Sequence, residues 1–178
     1  STPSRLLGAP GPSDPELAAL VNAALCVPDH GRLRPWRLLS LLPSAGSALG
    51  QALVRIREQR GEILEDTVRE KDLHRFDRAP RILVVISVLH QGHKIPEVEQ
   101  QHSAAALTQN LLLAAHALGY GAQWLTGWPA YDREVAGVLG LAANESVIGF
   151  VHIGTPLGSA PEVERPRAAQ LLHEWTGE

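Results

Sequence analysis

The stretch RILVVISVL, residues 81–89, constrains the fold of this chain more than any other. It is apolar, rich in β-branched residues and entered from Pro80, which predicts a strand. A strand with no polar alternation has no face to offer water, so both of its faces must be covered. The chain must therefore supply helical layers on both sides of a sheet. One is evident from Glu97 to Gly119, an Ala- and Leu-rich stretch that is apolar around much of its circumference after Ser103. That pattern predicts a long, central, buried helix. Gly119 and Gly121 end it.

Shorter elements flank these two. Ser13, Pro15 and Glu16 form the start of a helix with an S-x-x-E capping box, and Leu17, Leu20, Val21 and Ala24 give it an apolar stripe. Pro28 stops it, and residues 28–35 have turn chemistry throughout. WRLLSLL, residues 36–42, lies between Pro35 and Pro43 and predicts a buried strand. Residues 45–76 are charged, with Leu49, Leu53, Ile56, Ile63, Leu64 and Val68 at helical spacing and Gly61 as a weak point. AQWLT (122–126) and VIGFVHIG (147–154) predict strands, and Asp132 caps a short helix to Leu139. A last helical turn is expected at 168–175.

Strands thus alternate with helices, which predicts an α+β fold with a small sheet wrapped by helices. At 178 residues, 44% hydrophobic and 20% charged, the chain is expected to form a single domain over 1–178. Its Pro-rich ends, 1–12 and 156–178, are expected to be arms ordered by packing on a partner subunit.

Several function classes are excluded. A net charge of −3 and a pI near 6.2 argue against a nucleic-acid partner. No apolar run approaches the ~18 residues of a membrane span, and no signal peptide opens the chain. The single cysteine, Cys26, excludes an internal disulfide framework and fits a reducing, cytoplasmic compartment. Its place late in an apolar helix predicts a buried, inert thiol. There is no Met at all, so Ser1 is not expected to be the first translated residue. Walker A and G-x-S-x-G sequences are absent, and Gly119-Tyr120-Gly121 follows a helix rather than a strand, which argues against a dinucleotide loop. His90, His93 and His102 lie close in sequence but lack cysteine or H-E-x-x-H support, so no metal is expected there.

Three segments stand out together: Val27-Pro28-Asp29-His30-Gly31-Arg32-Leu33-Arg34-Pro35-Trp36, Lys94-Ile95-Pro96-Glu97-Val98-Glu99-Gln100, and Gly119-Tyr120-Gly121-Ala122-Gln123-Trp124-Leu125-Thr126-Gly127. The run from Val147 to Pro156 follows them. In this order and spacing they resemble the nitroreductase family of flavoproteins. The likeness is to its compact branch, where a PDH loop precedes Pro-Trp and K-x-P-x-x-E-Q precedes the central helix. It covers almost the whole chain.

The resemblance implies an α+β homodimer, with a mixed or antiparallel sheet, a long central helix and FMN at the subunit interface. It implies hydride transfer from NADH or NADPH through flavin N5 to nitroaromatics, quinones or similar small acceptors, in ping-pong fashion. No side chain need then act as a catalytic residue, because the flavin carries the chemistry. Ser1 matches the Ser of a family Arg-Arg-Ser phosphate motif, whose Arg pair would fall just before it. Arg165 and Arg167 match a region that supplies a further phosphate-binding cation. Pro28, Asp29 and His30 match the loop laid against the partner's flavin. Trp124, Leu125, Thr126 and Gly127 match the segment along the ring, with backbone N–H groups for N5 or O4. Lys71 falls where the family places a polar group near N1 and O2. Trp36 reads as core. The alternative is a degenerate, non-enzymatic flavin-binding or interaction dimer.

Overall fold

The computed structural model describes residues 1–177; Glu178, the last residue of the expected C-terminal arm, lies outside the described residues. The stretch from Pro80 does form a strand, β3 (Arg81–Val88), with Ile82 through Ser87 all buried. Alternation sends its side chains into separate cores. Ile82, Val84 and Ile86 join Leu49, Leu53, Ile56, Phe76 and Phe150 on one face. Leu83 and Val85 join Leu20, Leu107, Leu111, Val151 and Ile153 on the other. The two-sided cover predicted from the sequence is what the chain builds.

β3 pairs with β2 (Trp36–Leu41) on one side and with β5 (Glu145–Pro156) on the other. β5 in turn pairs with β1 (Leu7–Gly8) and with β4 (Gly121–Leu125). Every pairing among the described residues is antiparallel. β2 lies at the sheet edge and is only half-buried, which corrects the expectation of a buried strand there. The isolated helices account for the layers. α1 (Asp14–Ala24) and α4 (Glu97–Ala117) cover one face, while α2 (Pro43–Gln59), the single turn α5 (Trp128–Tyr131) and α6 (Arg133–Val138) cover the other, and α3 (Asp66–Leu73) packs against α2.

The caps read from sequence are present. Ser13 and Glu16 make the reciprocal capping box of α1, and Asp132 accepts from the N–H groups of Glu134 and Val135 to start α6. Pro43 is not a strand boundary alone but the first residue of α2, where its missing N–H costs nothing. The charged region breaks after Gln59, and Gly61 takes a left-handed φ of 79°. Ile63 falls in that break and is 99% exposed, against its expected place on a helical stripe.

Three more expectations are corrected. Cys26 is exposed, because α1 ends before it and it sits on the turn leading to Pro28. Residues 1–12 pack on their own chain: Thr2 and Leu7 are buried, the Thr2 N–H donates to Ala122 O at 2.9 Å, and β1 joins the sheet. α4 is buried along one face only, since Val98 and Leu113 are exposed in the single chain. The last segment, by contrast, lies open: Leu171, Leu172 and Trp175 are exposed, and only residues 168–170 form a helical turn. Among the described residues no helix is long and apolar enough to cross a membrane.

Candidate functional site

β4 leads directly into the segment singled out from sequence. Trp124 lies opposite Val151 and Leu125 opposite Phe150, and the ladder ends there. The indole of Trp124 lies over Gly149, where a Cβ would come within 2.0 Å of its Nε1. That nitrogen donates to Ile148 O at 3.2 Å. Absence of a side chain at Gly149 thus sets the ring's position, and the hydrogen bond sets its direction. Beyond the ladder the chain turns at Gly127, with φ 90° and ψ −175°. Few residues other than glycine adopt that backbone.

The turn leaves donors free. Among the described residues, no backbone or side-chain acceptor takes the N–H of Thr126 or of Gly127. A guanidinium stands beside them: a Cβ on Gly127 would lie 3.2 Å from Arg75 Nη1. Arg75 is held by Asp72, whose Oδ1 accepts from its Nη2 at 3.1 Å. Asp72 is 1% exposed and also accepts from Arg57 Nη1 at 3.0 Å and from Trp128 Nε1 at 3.3 Å. The carboxylate therefore bridges two guanidinium groups, of which Arg57 also pairs with Glu62 at 2.7 Å, and pins the indole just past Gly127. Lys71 is exposed on α3, and Arg75 lies on the turn that follows the helix end at Leu73.

Arg75 also acts on His152. This residue is 1% exposed in β5, opposite Gln123 and stacked on Phe76 at 6.2 Å. Neither ring nitrogen has a partner among the described residues. Burial, with the Arg75 charge adding to it, pushes the imidazole down to about 4. It is neutral in the folded protein at ordinary pH. Below the sheet's other end, Glu145 and Arg37 form a bidentate pair at 2.7 Å that holds the Glu145 carboxyl down at about 2.

The PDH loop is elsewhere on the chain. Asp29 does not point outward; its carboxylate accepts from the N–H groups of Leu33 and Arg34 at 3.0 and 2.9 Å. This closes a tight turn in which Gly31, Arg32 and Arg34 all have positive φ. Pro28 and His30 are exposed. Pro28 O accepts from Ser103 Oγ at 2.7 Å, and Ser103 accepts from Trp36 Nε1 at 3.1 Å. Trp36 is accordingly a half-buried tie between strand and central helix, as well as core. His30 Nδ1 lies 2.7 Å from Glu99 Oε2.

The sequence-derived residues therefore fall into separate groups within one chain. Trp124, Leu125, Thr126 and Gly127 are contiguous, with Lys71 on the neighbouring helix. Ser1 is exposed beside the start of β4, since Thr2 bonds to Ala122 and the Ser4 N–H donates to Gln123 Oε1. Pro28, Asp29 and His30 form a second group on α4. Arg165 and Arg167 lie in the exposed tail, with no ion pair among the described residues. Arg75, Asp72, Glu99 and Ser103 were missed as site residues, although Glu99 and Ser103 stand four apart in α4, a spacing that shares a helix face. His90, His93 and His102 do not gather into a cluster of metal ligands among the described residues.

Free backbone amides beside a fixed cation suit a flat, carbonyl-bearing cofactor whose charge changes, rather than catalysis by side chains alone. The comparisons place the class. The Nitroreductase family profile matches residues 4–155. An Escherichia coli K12 protein named "Putative NAD(P)H nitroreductase YdjA" is 27% identical over 150 residues, covering 84% of this chain and 81% of that protein. A Haemophilus influenzae relative of the same descriptive name is 28% identical, covering 88% and 85%. The crystal structure of a nitroreductase-like protein from Bacillus cereus superposes with a TM-score of 0.78 at 23% identity, over 97% of this chain and 90% of that one. A Desulfovibrio desulfuricans structure, described as a "putative nitroreductase in complex with fmn", gives 0.74 at 25% identity, over 96% and 90%. The chain belongs to the Nitroreductase family. It is an α+β enzyme of the oxidoreductase class.

Proposed function

We propose that this chain is a single-domain FMN-dependent NAD(P)H oxidoreductase that works as a homodimer and reduces nitroaromatics, quinones or similar small acceptors. FMN, when bound, supplies two-electron chemistry, taking hydride from NADH or NADPH and delivering it to the acceptor in a ping-pong cycle. The observation that carries this reading is the pair of unpartnered amides at Thr126 and Gly127 beside Arg75. They offer donors to the polar edge of an isoalloxazine ring, and Gly127 removes the side chain that would block it. Arg75 and Lys71 put positive potential where reduction places negative charge. Trp124 and Leu125 lead into the same turn at the end of the β4 ladder.

Ser1, with Arg165 and Arg167, binds the phosphate end on this reading. Pro28, Asp29 and His30 reach the flavin of the partner subunit, not their own. The exposed Val98 and Leu113 on α4, Leu118 just past its end, and Leu171, Leu172 and Trp175 in the tail give that partner an apolar surface. A visible absorption spectrum of the purified protein tests the reading, with NADH or NADPH added in the absence of oxygen. A flavin spectrum that bleaches with either nucleotide is expected. A protein that stays colourless after incubation with FMN refutes it.

A further inference from the structure

The K-x-P-x-x-E-Q segment has no role in the function as argued so far, yet its last two residues are committed side chains. Gln100 is 2% exposed; its Oε1 accepts the His90 N–H at 2.8 Å and its Nε2 donates to Ile95 O at 3.1 Å. It clamps the turn that feeds α4 and so fixes the first turn of that helix. Glu99, its neighbour, reaches the other way, to His30. Four residues on, Ser103 grips the backbone of the same loop at Pro28 O. Glu99 and Ser103 share a helix face, so α4 holds the loop at two points, one on its backbone and one on its imidazole.

This exposed pair has little to contribute to folding. The side chains of His30 and Glu99 are 63% and 44% exposed, and contacts of that kind add little net stability. What the contact does fix is orientation. A carboxylate only accepts hydrogen bonds, so the Nδ1 that faces Glu99 must carry a proton. The neutral ring then has its lone pair on Nε2, pointing away from Glu99. Beside it is a cavity of ≈ 300 Å³ lined by Pro28, His30, Glu99, His102, Ser103 and Ala106.

We infer that Glu99 is a positioning residue for His30: it fixes the imidazole and its Nδ1–H tautomer, so that Nε2 presents an acceptor to an N–H or O–H donor of the partner-bound flavin. The inference rests on the reading of His30 as a flavin contact. A second-group carboxylate that orients a histidine and selects its tautomer is a general device, and here it needs no further residue.

Long-range ¹H–¹⁵N correlation spectra of histidine-labelled full-length protein, with His30 assigned from the H30A spectrum, report the tautomer directly. FMN fluorescence quenching reports affinity. The neutral ring of His30 is expected to carry its proton on Nδ1, and E99A to abolish that preference. E99Q, whose Oε1 still accepts, is expected to retain it. E99A and H30A each raise the FMN dissociation constant about fivefold, and the double variant raises it no further. The melting temperature of E99A stays within about 2 °C of the parent, which a structural role would not allow. A neutral His30 protonated on Nε2 overturns the inference. So does E99A weakening FMN as much in the H30A background as alone, or not at all. Failure of the parent protein to take up FMN instead refutes the flavoprotein reading, and the tautomer comparison then upholds or overturns Glu99 by itself.

Discussion

Replacing Gly149 with Ala tests how Trp124 is held. The added Cβ would lie 2.0 Å from the indole Nε1, 2.4 Å from Cδ1 and 3.1 Å from Cε2. Those atoms belong to a rigid ring, and the 3.2 Å bond to Ile148 O ties the ring in place. The indole must leave. Losing the hydrogen bond costs about 1 kcal/mol, and forcing a methyl group into filled space costs about 1–3 kcal/mol. Alanine stiffens the unfolded chain and so returns about 0.5–1 kcal/mol. The net loss is about 1–3 kcal/mol, or a fall of about 3–10 °C in melting temperature for a chain of this size. The sharper test is the same change in a W124A background. With no ring to meet, Gly149→Ala becomes neutral or slightly stabilising. Urea unfolding followed by circular dichroism, at fixed protomer concentration, gives the coupling between the two sites. An equal cost in both backgrounds refutes the packing argument.

Other outcomes follow from buried charge. His152 is held at about 4 against an ordinary 6.5, so the unfolded chain takes up a proton that the folded protein refuses. Its contribution is complete above pH 6.5 and falls by roughly 3 kcal/mol as pH drops toward 4. Glu145, at about 2 against 4.5, adds a separate limb, present above pH 4.5 and lost as pH falls through 2. Urea midpoints across the acid range should show both limbs; H152F should abolish only the upper one and E145Q only the lower. Asp72→Asn leaves Arg75 without its carboxylate, while Arg57 keeps Glu62 at 2.7 Å; their side chains are 17% and 22% exposed and regain some water. The loss is accordingly below that of a fully buried pair, at about 2–3 kcal/mol. Calorimetry checks it, and FMN affinity should fall in the same variant because Arg75 is no longer fixed beside Gly127.

Much of the architecture was legible because it follows from local rules. The two-sided burial of β3 needed only the absence of alternation between 82 and 87. The start of α1 needed only Ser13, Pro15 and Glu16. Misplaced expectations share a cause, which is context that no window of sequence contains. Residues 1–12 look like a loose arm by composition, but Leu7 finds a place beside β5 from the far end of the chain. Cys26 sits on an apolar stripe that continues in sequence after the helix has ended. WRLLSLL is as apolar as an interior strand, yet it has a neighbour on one side only.

The candidate site was legible where it depends on backbone and hidden where it depends on charge. Gly127 and the segment before it could be singled out because glycine marks a place where the chain itself must approach something. Arg75 could not, since one more arginine in a charged stretch carries no sign of direction. Its direction comes from Asp72, and Asp72 is useful there only because it is buried under Trp128 and Arg57.

The separation of the two groups is itself informative. Among the described residues, no hydrogen bond or ion pair links the loop at His30 to the turn at Gly127. Each group is nonetheless rigidly built. One is locked by Asp29, Ser103 and Glu99, the other by Gly149, Asp72 and the end of the β4 ladder. Positive φ at Arg32 and Arg34 is a cost that a free surface loop has no reason to carry. A loop held in that shape, with its imidazole pointing outward, is prepared for a surface the same chain does not provide. On the proposed reading a second copy provides it, and the apolar face left open on α4 is where that copy rests.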